Sequence, residues 1–139
     1  VSVHNNRSES SGVRPRVKIH KLYVRLNELA ALCHHDNMKW WTHPKTGKPL
    51  KRNKGELIAL MHSELSEMLE GVRKDKMDEH IPHRRNEDVE AADLLIRLLD
   101  YCGAYGIDID GAFRDKRFFN LTRPDHSHEA RRKAGGKKF

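Results

Sequence analysis

The chain has 139 residues, of which 37% are hydrophobic and 34% charged, with a formal net charge of +7. That is one domain's worth of chain, and its apolar content allows only a modest core, so many helix faces must be wet or covered by another subunit. No apolar run approaches the length of a membrane span, and the polar, basic start is unlike a signal peptide, so no membrane partner is expected.

The charge is unevenly placed. Between Lys39 and Lys54 there are six basic residues and no acidic ones, between Glu56 and Asp100 twelve acids against six bases, and from Arg114 onward nine bases against three acids. A plain nucleic-acid binder is more often basic throughout, so nucleic acid is not the expected partner. An acidic middle between basic flanks suits a bound cation with an anionic ligand above it. Cys33 and Cys102 lie far apart with no C-x-x-C, which predicts reduced thiols in a cytoplasmic protein.

In chain order, residues 1–17 read as a flexible basic arm. From Lys18 to His34 the positions Ile19, Leu22, Leu26, Leu29, Ala30 and Cys33 recur at helical spacing. His34 to Asn53 is predicted as a loop, broken by Pro44, Gly47 and Pro49, and it holds both tryptophans, Trp40 and Trp41. Loop tryptophans beside lysines can stack on a nucleobase, or they can plug the end of a helix bundle.

Asn53 fits an N-cap with Glu56 at the capping-box position, opening a helix to about Arg73 with its apolar stripe through Leu57, Leu60, Met61, Leu65, Met68 and Val72. Asp75 to Arg85 is a connection. Asn86 is the second expected N-cap, for a helix ending at Gly106 whose core face is Val89, Ala92, Leu95, Ile96, Leu99 and Cys102; Glu87, Glu90, Asp93 and Arg97 share another face. A fourth helix is predicted from about Asp108 to Leu121, with Ile109, Ala112 and Phe113 inward. Lys116, Asn120 and Arg123 follow at i, i+4 and i+7, Pro124 ends the helix, and residues 125–139 read as a basic tail. The fold class is therefore all-α: a bundle of four main helices over residues 18–124.

Two acidic repeats carry the chemistry, Glu64-x-x-Glu67 and Glu90-x-x-Asp93. Residues i and i+3 lie about 60° apart on a helix, so each repeat sets two carboxylates side by side. Two such helices packed antiparallel bring four carboxylates into one space, where they need a compensating charge. The same repeats also fit a solvated, salt-bridged helix face. Oxygen-only ligation selects hard cations, Mg²⁺ or Mn²⁺. No His has a Glu three residues before it, as a helical di-iron site requires, and no H-E-x-x-H or Cys/His cluster supports zinc. There is no glycine-rich phosphate loop, so phosphates must be held by the cation and by side chains; Lys116, Asn120 and Arg123 fit that task, or form an ordinary basic helix face.

With these residues in place the sequence resembles the MazG-like, all-α nucleoside triphosphate pyrophosphohydrolases. The family pattern is E-x-x-E followed after a variable gap by E-x-x-D; here Glu64 and Glu67 precede Glu90 and Asp93 with 22 residues between (90 − 67 − 1). The stretches Glu56 to Glu67 and Glu87 to Asp100 read like family members, and Lys116, Asn120 and Arg123 are similar to the family's phosphate-contacting element. The likeness covers roughly Lys18 to Pro124.

The resemblance implies cleavage between the α- and β-phosphates of a (deoxy)nucleoside triphosphate, giving monophosphate and pyrophosphate. It implies two or three Mg²⁺ or Mn²⁺ ions per site on Glu64, Glu67, Glu90 and Asp93, with Glu67 as the water-activating carboxylate. It also implies a homo-oligomer, dimer or tetramer. The compact form resembles phage-encoded, MazZ-like members, which favours a purine deoxynucleotide, dGTP first, in a host cytoplasm. House-cleaning of pyrimidine or damaged dNTPs is the alternative within the family, and a basic helical nucleic-acid-binding module the alternative outside it.

Overall fold

A computed structural model describes residues 25–133 and 135. The predicted arm, the start of the first predicted helix and the last residues of the tail lie outside the described residues.

The described elements are all helical: α1 (Leu26–Asp36), α2 (Lys54–Lys74), α3 (Asn86–Tyr105), α4 (Ile109–Thr122) and a short α5 (His128–Arg132), with 3₁₀ turns at Met38–Trp40 and Pro124–His126. Local chemistry sets most of the ends. Asn53 caps α2, its side chain accepting from Gly55 N–H and Glu56 N–H. Gly106, at φ 61°, ends α3 in the left-handed conformation that glycine adopts without strain. There Ile107 N–H returns to Cys102 O and Gly106 N–H to Gly103 O, the paired bonds of a Schellman closure. Asp75 ends α2 the same way at φ 47°, despite having a Cβ. Its carboxylate accepts from Arg85 at 2.9 Å.

The expected cap at Asn86 is corrected. Arg85 is the N-cap of α3, and Asn86 is its first helical residue, buried, with its side chain turned inward. Where the basic tail begins, Pro124–His126 forms a 3₁₀ turn and His128–Arg132 forms α5, whose cap is Ser127.

α3 is the central rod. On one side α2 runs antiparallel to it: Gly71 lies against Asn86, Glu64 against Arg97, and Leu57 and Leu60 share a pocket with Asp100 and Tyr101. On the other side α1 is also antiparallel, with Ala30 packed against Leu99 and Cys102 and His34 bonded to Asp100. Gly103 makes this approach possible, because any Cβ there would strike the Ala30 carbonyl and His34 Cβ.

α4 docks differently. Asp110 accepts from Leu26 N–H and Asn27 N–H, capping α1 from a distant part of the chain, while Asn27 donates to Asp108. Ile109 packs against the core, but Ala112 and Phe113 are exposed, contrary to expectation. The fourth helix is thus tied to α1 by polar caps and leaves most of its apolar side uncovered. Ala30, Leu99 and Cys102 are the buried apolar residues among those described.

Candidate metal centre

The antiparallel register of α2 and α3 brings Glu64, Glu90 and Asp93 together, with one carboxylate oxygen of each within 4.8 Å of the others. Glu90 and Asp93 are neighbours across one turn of α3, and Glu64 reaches them from α2. Glu64 is only 5% exposed and Glu90 7%, whereas Asp93 stands at the open edge. Two buried carboxylates and a third at their rim form a strongly electronegative recess.

The titration behaviour follows from that crowding. Burial is the main cause pushing the Glu90 carboxyl above its usual range; the Asn86 hydrogen bond opposes this, and Glu67, Glu64 and Asp93 add like-charge repulsion. Asp93 is raised as well, first by partial loss of water around its carboxyl at that edge and then by Glu64, with Arg97 pulling the other way.

Glu67 does not join the three. It is exposed, one turn beyond Glu64, and its charge acts on Glu90. Of the four expected carboxylates, the structure brings Glu64, Glu90 and Asp93 together and places Glu67 at their edge. The 60° offset between i and i+3 turns Glu64 into the helix interface and leaves Glu67 at its rim.

Three further residues complete the site. Arg97 donates from Nε to Glu64 Oε1 at 2.6 Å, supplying one positive charge against three carboxylates. Asn86 donates from Nδ2 to Glu90 Oε1 at 2.7 Å, and its own buried Oδ1 has no hydrogen-bond partner among the described residues. Asp78, buried in the α2–α3 connection, accepts from Ile81 N–H and His80 N–H. The Ile81 bond is the main cause holding its carboxyl below the usual range, ahead of the opposing effect of burial. Spacing carried a signal for two of them: Asn86 lies four residues before Glu90 and Arg97 four after Asp93, the distance at which helical side chains meet. Asp78 carried none, because its position depends on how the connection folds.

This donor set fits a hard divalent cation. It is all oxygen, it is short of positive charge, and the proton affinities of Glu90 and Asp93 are raised by burial and like charge, which a cation relieves.

No protein-family model, curated protein or solved structure matches the chain.

The other expected site residues are spread out. Trp41 donates its indole N–H to Asp100 and packs edge-on against His34 and Tyr105, so it closes the end of the α1–α3 pair. Trp40 is 60% exposed, with the Lys39 ammonium 5.5 Å from its ring centroid. Lys116 and Arg123 gather around the Phe119 ring at 4.9 and 5.4 Å, and Arg123 is forked onto Asp125. Asn120 is exposed nearby. All three belong to the α4 end of the molecule, which leans chiefly on α1 rather than on the pair that carries the carboxylates.

Cys33 and Cys102 are free thiols. Among the described residues no helix is long and apolar enough to cross a membrane.

Proposed function

We propose that this protein is a metal-dependent nucleoside triphosphate pyrophosphohydrolase of the MazG-like kind, cleaving a (d)NTP to (d)NMP and pyrophosphate. The observation that carries the reading is the convergence of Glu64, Glu90 and Asp93 between two antiparallel helices. A solvated acidic face would not bury two of its three carboxylates.

Glu64, Glu90 and Asp93 would hold the ions, Mg²⁺ or Mn²⁺. Bound there, such a cation would neutralise the triphosphate and would make water acidic enough to attack near neutral pH. Glu67, exposed beside Glu90, takes the proton from that water. The oxygen attacks the α-phosphorus in line, the bond from the α-phosphorus to the α–β bridging oxygen breaks, and pyrophosphate leaves with the electron pair. Asn86 holds the Glu90 carboxylate in place throughout.

Assembly is part of the proposal. The apolar surface on α4 and along α2 and α3 is more than a lone small domain usually leaves open, and a second copy of the chain would cover it. In such a homo-oligomer, dimer or tetramer, Lys116, Asn120 and Arg123 of one copy can approach the phosphates held by another. The favoured substrate is a purine dNTP, dGTP first.

The test is incubation with a panel of dNTPs and Mg²⁺ or Mn²⁺, assaying pyrophosphate against orthophosphate. Pyrophosphate as the first product, lost on Glu64→Ala or Asp93→Ala, is expected. Orthophosphate first, or full turnover in either variant, rejects the reading. Metal-independent, salt-sensitive duplex binding without turnover would favour a nucleic-acid module instead.

A further inference from the structure

We propose that Arg97 grips a phosphate of the substrate while its Nε stays on Glu64, so that one side chain joins the cation site to the polyphosphate. The inference rests on the metal-dependent reading above and adds a residue that the α4 array does not include.

Three observations carry it. First, Arg97 spends only one of its several N–H donors: Nε bonds to Glu64 Oε1 at 2.6 Å, and the terminal amino groups have no hydrogen-bond partner among the described residues. Second, the pair is lopsided. The Glu64 side chain is 6% exposed and that of Arg97 42%, so the carboxylate anchors the guanidinium from below while its far end faces solvent. Third, among the described residues Arg97 is the cation that lines a shallow pocket between α2 and α3, with Trp41, Leu57, Leu60, Asp100 and Tyr101. Asp100 does not compete for it, since its oxygens accept from Trp41 and His34.

A guanidinium fixed through Nε presents its two terminal amino groups as a preset fork, the geometry that suits phosphate oxygens. Because a buried carboxylate already holds it, little side-chain freedom is lost on binding. The ligand class is a polyphosphate chelated by the same cation that the three carboxylates hold. The competing role is that of a counterion to Glu64 and nothing more.

Binding separates the two roles. Mn²⁺ is titrated into the full chain alone, and inorganic tripolyphosphate is then titrated in the presence of saturating Mn²⁺, for wild type, Arg97→Gln and Arg97→Lys. The expected result is Mn²⁺ affinity within about threefold of wild type in both variants, with tripolyphosphate bound roughly tenfold to a hundredfold more weakly by Arg97→Gln and intermediately by Arg97→Lys. Unchanged tripolyphosphate binding in both variants overturns the proposal. So does a parallel loss of Mn²⁺ and tripolyphosphate, the signature of a residue that only keeps Glu64 in place. If Arg97→Gln fails to fold, Arg97→Lys, which keeps a positive charge opposite Glu64 but no fork, decides between these outcomes alone. Wild type that binds no Mn²⁺ removes the metal reading itself, and this inference with it.

Discussion

Asn86 donates one side-chain N–H to Glu90 Oε1 at 2.7 Å, while its carbonyl oxygen rests over Gly71 on the facing helix. A methyl group at Gly71 would collide with that oxygen. Gly71→Ala should therefore push Asn86 off Glu90 and part the helices locally, costing about 1–3 kcal/mol. Urea unfolding checks the stability, and Mn²⁺ titration should show weaker binding in the same variant although no ligand has changed.

The raised Glu90 and Asp93 carboxyls set a pH dependence of definite sign. Between the ordinary carboxyl range and their raised values, the folded chain holds protons that the unfolded chain has released. Their contribution to stability is present in acid and is lost as pH rises through that interval. Without divalent cations, Glu90→Gln should melt about 3 °C or more above wild type at pH 7, with the gap closing toward pH 4. Asp78 and Asp108 are lowered and pull the opposite way below the ordinary range, in both proteins alike. Added Mg²⁺ should stabilise wild type more as pH rises and Glu90→Gln little, read by thermal melts across pH.

Glu67 and Glu90 should separate in their effects. Glu90 belongs to the convergent three and Glu67 does not. Glu67→Gln is expected to keep Mn²⁺ affinity within about tenfold and lose turnover by roughly a hundredfold or more, whereas Glu90→Gln loses both. Calorimetry beside a pyrophosphate assay distinguishes them; equal loss of Mn²⁺ binding in the two would put Glu67 among the ligands.

Phe118 is 69% exposed and Leu121 72%, on a helix held mainly by caps. Sedimentation should find a dimer or larger species. The double variant Phe118→Ser/Leu121→Ser should move it toward monomer and make the melting temperature depend less on concentration.

The two tryptophans should behave oppositely. Trp41→Phe removes the N–H donor to Asp100 and is expected to cost about 1–2 kcal/mol in urea unfolding. Trp40→Ala, at a mostly exposed position, should change stability by no more than about 0.5 kcal/mol. A rise in KM in that variant would place Trp40 against the substrate.

Much of the helical framework was readable along the chain because its signals are local. Asn53 begins α2 by turning its side chain back on the next amides, Gly106 ends α3 because the left-handed closure costs it nothing, and the i, i+3 repeats put each acidic pair on a helix whatever else the chain does. The sequence alone could not say which carboxylates meet. That depends on the rotation of α2 about its axis against α3, which turns Glu64 inward and leaves Glu67 at the rim. It could not show Asp78 acting on Asp93 or α4 being held through Asp110 on α1, because each joins residues far apart in the chain; Asn86 serves Glu90 instead of capping because α3 starts one residue earlier than its local signal suggests. Short-range hydrogen bonding determined the rods, and the packing of one rod on another decided the site.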